Sequence, residues 1–124
     1  YDNIGLPKNT NNRFLSMPPL LNPDGPTFID KGLMDTTKRP EDAGRMKVPT
    51  LRNIAITAPY FHNGVFSTLE QAVQFYNKRD VGGFDAPELP DTMNRDELGD
   101  LKLTDQEVAD IVAFMKTLTD GFVP

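Results

Sequence analysis

Sustained helical periodicity is confined to two short stretches of this 124-residue chain, so turns must hold most of the rest. The first stretch opens with Thr68 and Gln71, the Thr-x-x-Gln spacing of a capping box, whose side chains satisfy N–H groups of the first turn. Leu69, Ala72, Val73 and Tyr76 then fall on one helical face. The second stretch repeats the device with Thr104 and Glu107. It continues through Val108, Ile111, Val112, Met115 and Leu118, with Phe114 at the edge of the stripe. Asp105 and Glu107 suit the positive end of that helix dipole, Lys116 suits the negative end, and Gly121 is placed to stop the helix. No strand pattern competes. The chain is predicted to be an all-α, loop-rich domain over residues 1–124, without internal repeats.

Punctuation dominates elsewhere, with 11 Pro and 9 Gly. Residues 1–38 hold turn chemistry rather than periodicity, including Pro18-Pro19 and the run Asn22-Pro23-Asp24-Gly25-Pro26. Their apolar residues, among them Leu6, Phe14, Leu20 and Leu21, point to a segment that wraps something rather than a disordered one. Short helices are predicted at Pro40–Arg45 and Pro49–Ile56. The second must stop before Ala58, which precedes Pro59 and is biased out of the helical region. Pro59 to Gly64 reads as a turn, with Asn63-Gly64 supplying positive φ, and Lys78–Leu103 reads as loop.

So few helices offer too little surface to bury one another. A large flat apolar cofactor such as a haem would supply the missing surface, and so would a dimer interface or the rest of a longer protein. The net charge of −5 argues against a nucleic-acid partner, which needs clustered Lys and Arg. No apolar run approaches the roughly 20 residues of a membrane span. No leader is visible, and the start at Tyr1 reads as a processed or truncated product. Cysteine is absent, so the chain holds no disulfide, thiolate site or C-x-x-C-H haem attachment.

Three stretches in order carry a family resemblance: K-V-P-T-L-R-N from Lys47, T-A-P-Y-F-H-N-G from Thr57, and T-L-E-Q-A-V from Thr68. The final stretch Leu103–Thr119 and the opening Tyr1–Pro7 extend it. Together they resemble the carboxy-terminal haem domain of bacterial di-haem cytochrome c peroxidases and MauG-like proteins, downstream of its C-x-x-C-H. The resemblance implies a partial cytochrome c-like fold lacking the haem-attachment helix, with haem c as cofactor. It implies a calcium ion between the two haem domains and a periplasmic location, where c-type haem is attached. The implied partners are the amino-terminal haem domain of the same protein and a small electron-donor redox protein, with a homodimer also open.

The resemblance also implies site residues. The residue fourteen after the turn histidine is typically Met in the peroxidases, whereas here it is Tyr76, and a Tyr ligand is the MauG-like arrangement. A phenolate is a hard ligand that favours oxidised iron and lowers the potential, whereas a thioether raises it. From its helical pattern alone, Tyr76 reads as an ordinary half-buried aromatic, and the ligand role comes from the resemblance. His62, the only histidine, matches a turn residue near the haem edge rather than the usual axial ligand. Thr57 and Pro59 match positions whose backbone carbonyls help hold the calcium, or they form a plain helix-ending Thr-x-Pro. Arg52 and Lys47 are candidates for pairing with haem propionates, against a reading as solvated surface charges. Met17, Met34, Met46, Met93 and Met115 are further thioethers, with Met115 read as core.

The implied activity is peroxide reduction, or MauG-like oxidation of a substrate, with electrons relayed between two haems. This chain would form the distal side of the second haem pocket. A haem electron-transfer module without peroxidase chemistry and a haem-free interaction domain are the alternatives.

Overall fold

The structure is a computed structural model and describes residues 1–121. Three α-helices are present among them: α1 (Met34–Thr37), α2 (Leu69–Lys78) and α3 (Asp105–Thr117). Single 3-10 turns stand at Arg13–Ser16, Gly25–Thr27, Pro40–Asp42 and Ile54–Ile56. No strand occurs among the described residues, only isolated bridges such as Asp2 with Met46 and Tyr60 with Phe66. The all-α, loop-rich expectation therefore holds.

The two predicted helix starts form as capping boxes. Thr68 Oγ1 accepts from the Gln71 N–H at 3.1 Å, and Gln71 Oε1 accepts from the Thr68 N–H at 3.1 Å. Thr104 and Glu107 exchange the same pair of bonds at 3.2 and 2.8 Å. Hydrogen bonds from Thr104 hold the Glu107 carboxyl below its ordinary value. The two short predicted helices shrink. Pro40–Arg45 is a 3-10 turn over Pro40–Asp42, and Pro49–Ile56 is one over Ile54–Ile56. Neither has a side-chain cap on its first turn. A single turn gains too few hydrogen bonds to offset the cost of nucleating a longer helix. Helix α1, in a region without a periodic signal, is likewise a single turn.

The chain divides into two compact units. The first joins Tyr1–Lys47 to Asp85–Asn94. It is built less by helices than by side chains that bond to backbone. Asn3, 5% exposed, donates to the Leu89 carbonyl and Thr92 Oγ1, and accepts from the Gly5 N–H. Asn22 donates to the carbonyls of Phe14 and Gly25, closing the loop between them. Lys8 reaches the Pro26 and Phe28 carbonyls. The opening segment thus folds as a set of clasped turns. Leu6 is buried, but Leu20 and Leu21 project into solvent rather than joining a core.

The second unit joins Val48–Phe84 to the stretch from Arg95 on. Its core is α2 packed on α3: Leu69, Ala72 and Val73 meet Val108, Val112 and Met115, with Tyr60 from the preceding turn. This i, i+4, i+7 stripe on α3 is narrower than the periodicity suggests. Ile111 and Phe114 stay exposed because one facing helix covers only part of the apolar arc. Helix α3 ends with Leu118 as its C-cap, before Gly121. No helix among the described residues is long and apolar enough to cross a membrane.

Asp42, buried at 2% exposure, accepts from the Thr37 hydroxyl and from Arg39. The Thr37 hydrogen bond, with help from Arg39, holds its carboxyl below the ordinary carboxylate range against the opposing effect of burial. A depressed folded pKa stabilises above the unfolded value of about 3.9 and is lost as pH falls through the folded value. Asp42→Asn should therefore flatten the acid limb of the stability–pH curve, measured by thermal melts from neutral pH downward. An unchanged limb would assign acid sensitivity to other carboxylates.

Candidate functional site

Tyr76 lies in the last turns of α2, and its surroundings follow from the turn that precedes the helix. In that turn Phe61 has a φ of 67° and Gly64 one of 65°, whereas Asn63, expected to supply positive φ, does not. Asn63 instead accepts from the Val65 N–H at 3.2 Å. A bulky residue at positive φ costs on the order of 1 kcal/mol or more. Ring contacts offset this. The Phe61 ring meets Phe66 at 5.7 Å and Phe75 and Tyr76 at 5.8 Å each, and its positive φ lets the ring reach them. Phe84 completes the group, 5.9 Å from Phe66 and 5.3 Å from Phe75.

Five rings therefore gather around α2, with Phe75 fully buried and Tyr76 37% exposed at the margin. The turn is anchored by Tyr60, whose N–H bonds to the Phe66 carbonyl at 2.7 Å and whose hydroxyl donates to the Ile54 carbonyl at 3.0 Å. Burial, with a smaller effect from Glu70, pushes the Tyr60 phenol above its ordinary pKa. Tyr60 is thus a structural tyrosine and Tyr76 the outward-facing one.

The remaining expected residues are placed differently. His62 is exposed on the turn, next to Phe61 and hence one residue from the ring contact with Tyr76. Thr57 and Pro59 are both exposed, joined through the cis peptide Ala58–Pro59. The Thr57 hydroxyl and N–H both donate to the Ile54 carbonyl. Arg52 pairs with Asp120 at 3.2 Å on an exposed edge. Its neighbour Asn53 also bonds Asp120 in both directions, at 3.0 and 2.7 Å. Lys47 belongs to the first unit and is exposed. Among the described residues no three His, Cys, Asp or Glu side chains are grouped to hold a metal.

Sequence reasoning missed the aromatic group. Phe66 and Phe84 lie outside the helical stripe, so no period announces them; only the density of Phe between positions 61 and 84 hints at it. The Arg52–Asp120 tie was equally unannounced, since its partners stand 68 residues apart.

The second unit thus offers a phenol oxygen on an aromatic wall, and it leaves Val48, Leu51, Ile56 and Phe114 exposed as well. A hard oxygen donor beside flat apolar walls fits a planar apolar cofactor with a metal at its centre.

Comparison with known proteins gives the family. The family model described as Cytochrome c matches residues 31–119. The methylamine utilization protein MauG of Paracoccus denitrificans is 39% identical over 97% of this chain, which spans 33% of that protein. The cytochrome c peroxidase Ccp of Escherichia coli is 40% identical over 79% of the chain and 17% of its own length. The crystal structure of a MauG-like protein associated with microbial copper homeostasis superposes with a TM-score of 0.62 at 39% identity, covering 75% of this chain and 30% of that one. The chain thus spans a third or less of each of these relatives.

Phe61→Ala should lower stability by about 2 kcal/mol, below the full core value for Phe→Ala because the ring is only partly buried. Denaturant unfolding measures this. Alanine keeps the Cβ that makes positive φ costly, so a change within a few tenths of a kcal/mol would mean that the ring contacts contribute little to stability.

Proposed function

This chain belongs to the cytochrome c family and is related to the di-haem cytochrome c peroxidases and MauG, and from that premise we propose that it is the distal side of the second haem pocket in a longer two-haem oxidoreductase. The intact protein would reduce hydrogen peroxide with electrons relayed between its haems, or use those oxidising equivalents on a substrate as MauG-like proteins do. A c-type haem, when bound, supplies the redox chemistry.

The observation that carries the reading is Tyr76: a half-exposed tyrosine at the margin of an aromatic group centred on buried Phe75, on a helix capped at its start. It would offer its phenolate oxygen to the iron of a bound haem. A hard anionic donor holds iron in its oxidised state, which suits a haem that shares oxidising equivalents. The rings of Phe61 and Phe75 orient Tyr76 and exclude water from its inner side. Arg52 and Lys47 would meet propionates; for Arg52 this means exchanging Asp120 for another carboxylate, with the same planar fork. His62 would stand near the haem edge.

Two carbonyls on either side of Ala58, those of Thr57 and Pro59, are the proposed calcium ligands, supported by their exposure on one turn. The other ligands would come from the amino-terminal haem domain, the nearest proposed partner. A small redox protein would donate electrons, and the setting would be the periplasm.

In the intact haem-loaded protein, Tyr76→Phe should convert the second haem from low-spin to high-spin or recruit a new ligand, read by absorption and electron paramagnetic resonance. An unchanged spectrum would remove Tyr76 from the coordination sphere. Chelating calcium from the same protein should weaken the association of its two haem domains, seen as increased protease sensitivity between them; equal sensitivity with and without chelator would remove the calcium proposal.

A further inference from the structure

The last carbonyls of a helix lack intrahelical partners, and at the end of α2 two of them, those of Tyr76 and Asn77, are met from one distant stretch. The Gly99 N–H bonds to the Tyr76 carbonyl at 2.8 Å, and the Leu101 N–H to the Asn77 carbonyl at 2.9 Å. In return the Asp80 N–H bonds to the Gly99 carbonyl at 3.0 Å. The side chain of Asn77 completes the clasp. Its amide donates to the Leu103 carbonyl at 3.0 Å and accepts from the Leu103 N–H at 2.9 Å, copying the two-way bond of a strand pair. Asn77 has no exposed surface. Gly99 has a φ of 110°, and a Cβ there would collide with the Asp80 carboxylate. The Asp80 carboxylate is itself gripped through two oxygens by buried Arg79, at 2.8 Å each.

We infer that Asn77, supported by Gly99, is the positioning residue for Tyr76. The inference rests on the reading of Tyr76 as the haem ligand. Residues 98–103 lead directly into the Thr104 cap of α3, so the clasp ties the carbonyl of Tyr76 to the start of the other core helix. Ligand geometry must hold to within about 0.5 Å, and a ring on two rotatable bonds can correct little of a shift in its own backbone. The aromatic group steers the Tyr76 ring, whereas the clasp sets where the ring begins. Asn77 needs both ends of its amide for this. Leucine of similar volume would fill the space and leave the Leu103 N–H and carbonyl without partners.

The test uses the intact haem-loaded protein and four variants, each followed by thermal melting and by the low-spin signal of the second haem. Asn77→Leu and Gly99→Ala should each lose most of the low-spin signal, or split it into two ligand-field species, while far-ultraviolet circular dichroism stays native. Asn22→Ala removes a buried loop tie of the first unit and lies outside the clasp. It should lower the melting temperature and leave the signal whole. Tyr76→Phe separates the two claims. If it changes the spectrum and Asn77→Leu and Gly99→Ala only lower the melting temperature, the clasp is structural and the inference is overturned. If Tyr76→Phe leaves the spectrum unchanged, the ligand reading fails first and takes the inference with it. Should Asn77→Leu fail to load haem, Gly99→Ala decides alone.

Discussion

The second unit depends on the contact between α2 and α3, because among its described residues no other pair of long elements buries apolar surface. Six side chains from the two helices, with Tyr60, form nearly the whole buried cluster. Each large apolar side chain fully buried contributes roughly 1.5–3 kcal/mol, so a cluster of this size leaves little in reserve. The helices therefore cannot be left to find their own register. Asn77 bonds to Leu103 one residue before the α3 cap, and the Asn53 N–H meets the Leu118 carbonyl at the far end of α3. Polar clasps at both ends hold a small apolar centre in place, with their buried atoms satisfied rather than stranded.

The first unit extends the same principle to a region with almost no helix. Asn3, Asn22 and Asp42 are all nearly or fully buried, a state that calls for pairing, and of these only Asn22 leaves a buried atom, its Oδ1, without a hydrogen-bond partner. Each bonds to backbone or to neighbouring side chains across a turn. Asn and Asp suit this work because their short side chains carry the same donors and acceptors as a peptide group. Glu88 is the counterexample: burial pushes its carboxyl above the ordinary value, and Lys8 at 3.9 Å only partly opposes that. It favours folding in its protonated form, opposite in sign to Asp42.

What could be read from the sequence divides along the range of the interaction. Both capping boxes were legible, since their partners stand three residues apart and the chemistry is local. The all-α class was legible for the same reason. The predicted helices at Pro40–Arg45 and Pro49–Ile56 were overread, because proline and acidic residues mark a helix start without showing that a second turn follows. The pairings across many residues were not legible: Arg52 with Asp120, Asn77 with Leu103, and Phe84 with the turn at Phe66. No local pattern encodes them. The positive φ of Phe61 falls in the same class, because only the assembled ring group makes that conformation affordable.

That division bears on Tyr76 itself. Its position fourteen residues after His62 was visible in the sequence, but the ligand role proposed for it depends on contacts that were not. A Met at such a position has three rotatable bonds and a soft sulfur, and can adjust its reach to an imperfect backbone. Tyrosine has two, and its oxygen is carried at the end of a rigid ring. Replacing a thioether by a phenol therefore moves the burden of precision from the side chain to the frame. In this chain the frame carries two controls: rings of Phe61 and Phe75 on the side chain, and the bond from Gly99 on the backbone. A relative with Met could tolerate slack in both. On the proposed reading the Tyr form cannot, and the bond that matters most for it is the one from the Gly99 N–H to the Tyr76 carbonyl.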